Sequence, residues 1–73
     1  MSNIRYYRKQ AGLTQEGLAD LCGWDGNSRI GNYEAGIRKP GTDDLLLIRD
    51  ALATKDVRVT LEQLIGEHEA KTA

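Results

Sequence analysis

The sequence W-D-G-N-S-R-I-G-N-Y-E-A-G at residues 24–36 decides the fold of this chain. It opens with Asp25 and Gly26, a pair typical of turns because glycine adopts backbone angles that other residues avoid. A short helix over residues 27–35 is predicted to follow, and Gly36 stands where glycine commonly ends a helix. The segment therefore reads as a turn that leads into a helix.

The two sides of this helix differ in chemistry. At about 100° per residue, Ile30, Tyr33 and Glu34 share one side of the helix. The opposite side carries small or hydrogen-bonding residues: Ser28, Gly31, Asn32 and Ala35. An ordinary surface helix would place long charged side chains there. The pattern predicts a helix that lies against another molecule and reads it.

The length and composition predict one globular domain over residues 1–66 and a short frayed tail over residues 67–73. The chain has 73 residues, of which 40% are apolar and 29% are charged. A single cysteine forms no internal disulfide, and the first 25 residues resemble no secretory signal. No apolar run approaches the roughly 18–20 residues of a membrane span. The expected location is the cytoplasm.

The charges are unevenly distributed along the chain. The formal net charge is −1, which argues against binding nucleic acid by charge alone. Residues 1–39 contain six basic and four acidic side chains, whereas residues 40–73 contain four basic and seven acidic ones. The predicted reading helix lies in the basic half.

An arginine falls within the apolar stripe of the predicted first helix. Ile4, Tyr7, Arg8 and Ala11 recur at the spacing of one helix face. Arg8 either extends to the edge of the core or has an internal carboxylate partner, for which Glu34 is the natural candidate.

The remaining helices are predicted from their capping residues. Thr14 is predicted to cap a second helix and Thr42 a fourth, with Asp43 and Asp44 in the first turn of the latter. A capping box, T-x-x-Q, begins a short fifth helix at residue 60. Trp24 is predicted to fill a gap in the core. Leu46 and Leu47 make the fourth helix apolar nearly all round, so one of them is expected to face a partner chain.

Four segments in order resemble the Cro/repressor (Xre-like) helix-turn-helix family: G-L-T-Q-x-x-L-A, G-W, S-R-I-x-N-Y-E-x-G and R-K-P. The resemblance covers roughly residues 4–65. It implies an all-α fold, a compact five-helix bundle of the lambda-repressor-like DNA-binding type. It further implies that the second and third helices form the helix-turn-helix and that the third enters the DNA major groove.

The resemblance also implies roles for individual residues. It implies that Gln15 binds a phosphate, and that the loop residues Arg38 and Lys39 contact the DNA backbone. The positions that would read bases are Asn27, Ser28 and Asn32. The turn is one residue longer than the commonest family spacing, which leaves Asn27 either a base reader or an N-cap.

Physical chemistry supports these positions independently. Asparagine pairs bidentately with adenine, and Gly31 would let the helix backbone approach DNA closely. Arg29, on the flank, either reaches guanine or a phosphate or is solvated. For the second helix, capping alone is the simpler alternative to phosphate binding.

The sequence thus predicts a phage- or prophage-type transcriptional regulator, a repressor that binds a palindromic double-stranded DNA operator as a homodimer. The alternative is an antitoxin-like module that binds a protein, with DNA binding secondary. No catalytic constellation or metal-ligand cluster is apparent. An enzyme, a cofactor, a membrane and a small-molecule ligand are therefore not expected.

Overall fold

Five helices follow one another in the computed structural model, which describes residues 3–65. They are α1 (Ile4–Gln10), α2 (Gln15–Cys22), α3 (Ser28–Ala35), α4 (Thr42–Ala53) and α5 (Leu61–Ile65). No strand occurs within the described range, which confirms the all-α class. The tail expected at residues 67–73 lies outside the described residues.

The core lies where α2 packs against α3 and α4, and α1 and α5 close it from the other side. Each helix contributes at least one side chain that is fully removed from solvent: Ile4, Leu18, Ile30, Ile48, Leu52 and Leu64. Burial of a side chain of this size contributes about 1.5–3 kcal/mol. Trp24 packs against this core while remaining partly exposed.

Two of the predicted caps are confirmed by their hydrogen bonds. The backbone N–H of Gly17 donates to Oγ1 of Thr14 at 2.9 Å. At the start of α5, the N–H of Thr60 donates to Oε1 of Gln63 at 2.9 Å, and the N–H of Gln63 donates to Oγ1 of Thr60 at 3.1 Å. These side chains satisfy N–H groups that have no partner within the helix.

The prediction that Thr42 caps α4 is wrong. Gly41, with an extended backbone, occupies the N-cap position, and Thr42 is the first helical residue. The reason is that the carbonyl of Gly41 already accepts the first helical hydrogen bond, from the N–H of Leu45 at 2.9 Å. Asp43 and Asp44 do lie in the first turn, where their charge favours the helix dipole.

The buried partner of Arg8 is Glu34, which settles the two alternatives for this arginine. Nε of Arg8 donates to Oε2 of Glu34 at 2.6 Å, and Nη2 donates to Oε1 at 3.1 Å. Nη1 donates to the carbonyl of Leu13 at 2.8 Å, and Nε2 of Gln15 donates to Glu34 Oε1 at 3.0 Å. Arg8 and Glu34 are each 8% exposed. The carboxylate on α3 is therefore bound by side chains from α1 and α2.

Replacing Arg8 or Glu34 by alanine is expected to lower the free energy of unfolding by about 3–5 kcal/mol, because the remaining charge would be buried without its partner. A core of this size rarely supplies more than about 3–5 kcal/mol, so both variants should lose most of their helical circular dichroism at 25 °C. The matched control is Arg49→Ala, which removes an exposed pair with Asp50 and should cost less than about 1 kcal/mol. Urea unfolding of Arg8→Ala close to that of Arg49→Ala would contradict this account.

Candidate nucleic-acid interface

The turn between α2 and α3 has the geometry that its glycines predict. Gly23 ends α2 with φ of 81°, and the N–H of Trp24 donates back to the carbonyl of Ala19 at 2.9 Å. Gly26 has φ of 133°, which side-chain-bearing residues rarely adopt. The chain can therefore reverse within five residues and begin α3 at Ser28.

Asn27 occupies the N-cap position of α3, so the helix begins at Ser28, one residue later than predicted. Its carbonyl accepts from the N–H of Gly31 at 2.9 Å, but its side chain makes no capping hydrogen bond and is exposed. The backbone of Asn27 therefore serves the helix, and its amide group faces solvent.

The two predicted sides of α3 are confirmed by burial. Ile30, Tyr33 and Glu34 are buried in the domain. Ser28 is exposed, and Asn32 is half-buried at the edge of the same outer side. A Cβ atom added to Gly31 would lie 3.7 Å from Gln15 Oε1, which is an ordinary contact. Packing within the domain therefore leaves space for a Cβ atom at position 31.

Gln15 lies at the junction of α2 and α3 rather than fully in solvent. It is half-buried, and its amide N–H donates to Glu34, as described above. The structure thus gives this side chain a role inside the domain that the sequence did not predict.

The loop after α3 folds back against the end of that helix. Gly36 has φ of 79°, and the carbonyl of Asn32 accepts from the N–H groups of Ile37 at 3.0 Å and Arg38 at 3.3 Å. Arg38 and Lys39 are both exposed. The loop therefore brings two basic side chains to the end of α3.

A cleft of about 490 Å³ runs along α3 between this loop and the 24–26 turn. Four of the predicted contact residues line it: Ser28, Arg29, Asn32 and Arg38. The other four, Gln15, Asn27, Gly31 and Lys39, lie outside its lining. Two arginines and one acidic residue, Asp25, line the cleft, so its lining is positively charged on balance and suited to an anion.

Arg29 belongs to a cluster that the sequence analysis missed. Its guanidinium carbon lies 4.5 Å from the centroid of the Trp24 ring, and its Nη1 lies 3.4 Å and 3.5 Å from the two carboxylate oxygens of Asp44. The hydroxyl of Tyr33 donates to Oδ2 of the same carboxylate. The only signal in the sequence is opposite charges on consecutive helices, which is too common to identify a pair.

A family model described as Helix-turn-helix matches residues 4–57 of this chain. The chain belongs to the Cro/Xre-like helix-turn-helix family. Members of that family are DNA-binding transcription regulators, and this assignment agrees with the arrangement of α2, turn and α3. Comparisons with curated proteins and with solved structures give no significant match.

The helix-turn-helix consists of α2 and α3, which pack directly on each other, and of the turn at residues 23–27. Across residues 3–65, no helix is long and apolar enough to cross a membrane. Over the same residues, no group of three or more His, Cys, Asp and Glu side chains is placed to hold a metal ion.

Two side chains of the helix-turn-helix, Cys22 and Tyr33, have pKa values above their ordinary values. The pKa of the Cys22 thiol is raised from 9.0 to about 11. Burial is the largest cause, and the nearby Asp44 carboxylate is the second. Burial and the hydrogen bond to Asp44 raise the pKa of Tyr33 from 10.0 to about 12. The thiolate and the phenolate are both disfavoured in the folded state.

Stability is therefore expected to fall in alkaline solution. The folded state holds both protons more tightly than the unfolded state, so their contribution is complete below pH 9 and is lost as the pH rises towards 12. Urea unfolding between pH 8 and pH 12 measures this change. Tyr33→Phe should show a smaller decline between pH 10 and pH 12. An equal decline in that variant would contradict the role of Tyr33.

Proposed function

We propose that the protein is a sequence-specific repressor that reads double-stranded DNA with α3 and occupies a palindromic operator as a homodimer. The observation that supports this most strongly is the polar outer side of α3, which adjoins a cleft containing two arginines. A helix of this kind fits the major groove, where each base pair presents a distinct pattern of donors and acceptors.

Base reading is assigned to the first two turns of α3. Asn27 and Ser28 are exposed at its start, and Asn32 lies one turn further along. An asparagine amide donates to and accepts from adenine at once, and a serine hydroxyl pairs with several bases. One good bidentate contact contributes about 1–3 kcal/mol of discrimination.

Backbone binding is assigned to the residues that flank this helix. Arg38 and Lys39 approach from the loop and Arg29 from the start of α3. Gln15, at the beginning of α2, donates one amide N–H to Glu34, and its second amide N–H is assigned to a phosphate. Gly31, which has no side chain, allows the DNA to approach the helix between these groups.

Dimerisation is assigned to α4, through its exposed leucine. Leu47 is 42% exposed, whereas its neighbour Leu46 is half-buried, so Leu47 is the leucine available to a second copy. Two copies would place their reading helices about one turn of DNA apart. Occupation of such an operator within a promoter, in a bacterial or phage-infected cell, would exclude RNA polymerase.

Selection of bound duplexes from random double-stranded DNA tests this proposal. The protein should enrich a palindromic sequence, and Ser28→Ala and Asn32→Ala should relax the preference at individual base positions while retaining the fold. The control is Gln10→Ala, an exposed change at the end of α1 that should leave the selected sequence unchanged. No enrichment by the unaltered protein would contradict DNA reading and favour a protein partner. Unchanged preference in both variants would remove α3 from the reading role.

Lys39→Ala should weaken binding to all sequences about equally and reduce the slope of log affinity against log salt by about one unit, because one phosphate contact is lost. The matched control is Lys55→Ala, which removes the same charge from the exposed segment after α4. Fluorescence anisotropy at several salt concentrations measures both. A changed base preference for Lys39→Ala, or an equal effect of Lys55→Ala, would contradict this assignment.

A further inference from the structure

We infer that the Asp44 carboxylate competes with a DNA phosphate for the Arg29 guanidinium, so that α4 restrains the DNA affinity of the reading helix. This inference rests on the proposed function and adds to it a residue that would bind no DNA itself. The intramolecular pair is broken when a phosphodiester enters the cleft along α3.

The Arg29–Asp44 pair has the geometry of a contact that can be exchanged. Both of its distances, 3.4 Å and 3.5 Å, are long for a charge-assisted hydrogen bond, which ordinarily spans about 2.7–2.9 Å. The Arg29 side chain is 50% exposed. An exposed pair of this kind contributes little to folding, so its loss upon DNA binding would leave the domain intact.

The two partners are held to different degrees. Asp44 is the fixed partner, because its side chain is only 20% exposed and accepts a hydrogen bond from the hydroxyl of Tyr33. Arg29 is the movable partner, because its side chain is 50% exposed and, among residues 3–65, its other contact is with the Trp24 ring. When the pair breaks, Asp44 retains Tyr33 and Arg29 retains Trp24.

The Trp24 ring gives Arg29 a second contact besides Asp44. The guanidinium carbon lies over the ring, 4.5 Å from its centroid, which is within the range of a cation–π contact. The five N–H donors of a guanidinium point outward in its plane and fit a carboxylate or a phosphate equally well. Trp24 is thus a positioning residue that would hold Arg29 at the cleft with either partner.

The cleft supplies the competing site. Arg29 and Arg38 both line it, together with one acidic residue, Asp25, and the hydrogen-bonding side chains of Ser28 and Asn32. A phosphate oxygen within the cleft would have access to two cations, whereas the Asp44 carboxylate has contact with one. A DNA phosphodiester that contacts both guanidinium groups can therefore replace Asp44 as the partner of Arg29.

The test compares Asp44→Asn with Asp43→Asn on the selected DNA. Both variants remove one negative charge from the first turn of α4, but only Asp44 contacts Arg29. The asparagine can still accept the Tyr33 hydroxyl through its carbonyl oxygen. Asp44→Asn should tighten binding by about two- to fivefold more than Asp43→Asn, the range expected when an exposed ion pair no longer has to be broken. Both measurements are repeated with Arg29→Gln, in which the difference should disappear.

Equal tightening by the two variants, or an excess that persists with Arg29→Gln, would overturn the inference. Should Asp44→Asn fail to fold by circular dichroism, a structure of the unaltered protein with the selected duplex decides. If the Arg29 guanidinium lies within hydrogen-bond distance of a phosphate in that structure, the competition is supported. If Arg29 keeps its ion pair with Asp44, the inference is overturned. Failure of the unaltered protein to select any DNA would refute the proposed function itself, before any variant is made.

Discussion

The buried carboxylate of Glu34 is the group on which the arrangement of the first three helices depends. Arg8 from α1 binds it through two N–H donors, and Gln15 from α2 binds one of the same oxygens. The third arm of Arg8 reaches the carbonyl of Leu13, in the segment that connects α1 to α2. A buried charge is costly unless it is fully paired, so one arrangement of α1, α2 and α3 is strongly favoured over others.

A second carboxylate of a different character contacts α3 from α4. Asp44 on α4 accepts from the buried Tyr33 and approaches the exposed Arg29. The Glu34 contacts are short and buried, whereas the Arg29 contact is long and half exposed. We interpret the first as a fixed support for the reading helix and the second as an exchangeable one. Under the proposed function, the Glu34 contacts would keep α3 in one position, and the Arg29–Asp44 contact could be replaced by a contact with DNA.

The sequence predicted those features that depend on local rules. Helix periodicity identified Arg8 and Glu34 as inward residues of opposite charge, and the caps at Thr14 and Thr60 follow from side chains close in the chain. The sequence did not predict the N-cap of α4, because two adjacent residues were both acceptable there. Gly41 occupies the N-cap position without any side-chain hydrogen bond, and Thr42 is the first helical residue. The Arg29–Asp44 contact joins residues whose meeting depends on how α3 and α4 pack, which the pattern of charges does not determine. The DNA contacts themselves stay a prediction.

The central claim, that α3 and its flanking loop form a DNA-reading surface supported by the Glu34 network, is tested most directly by nuclear magnetic resonance. A ¹⁵N-labelled sample is titrated with the selected duplex, and the change at each backbone amide is recorded. The account predicts that the largest changes lie at residues 27–32 and 36–39, with small changes in α5. The largest changes in α5, with residues 27–32 unaffected, would contradict it.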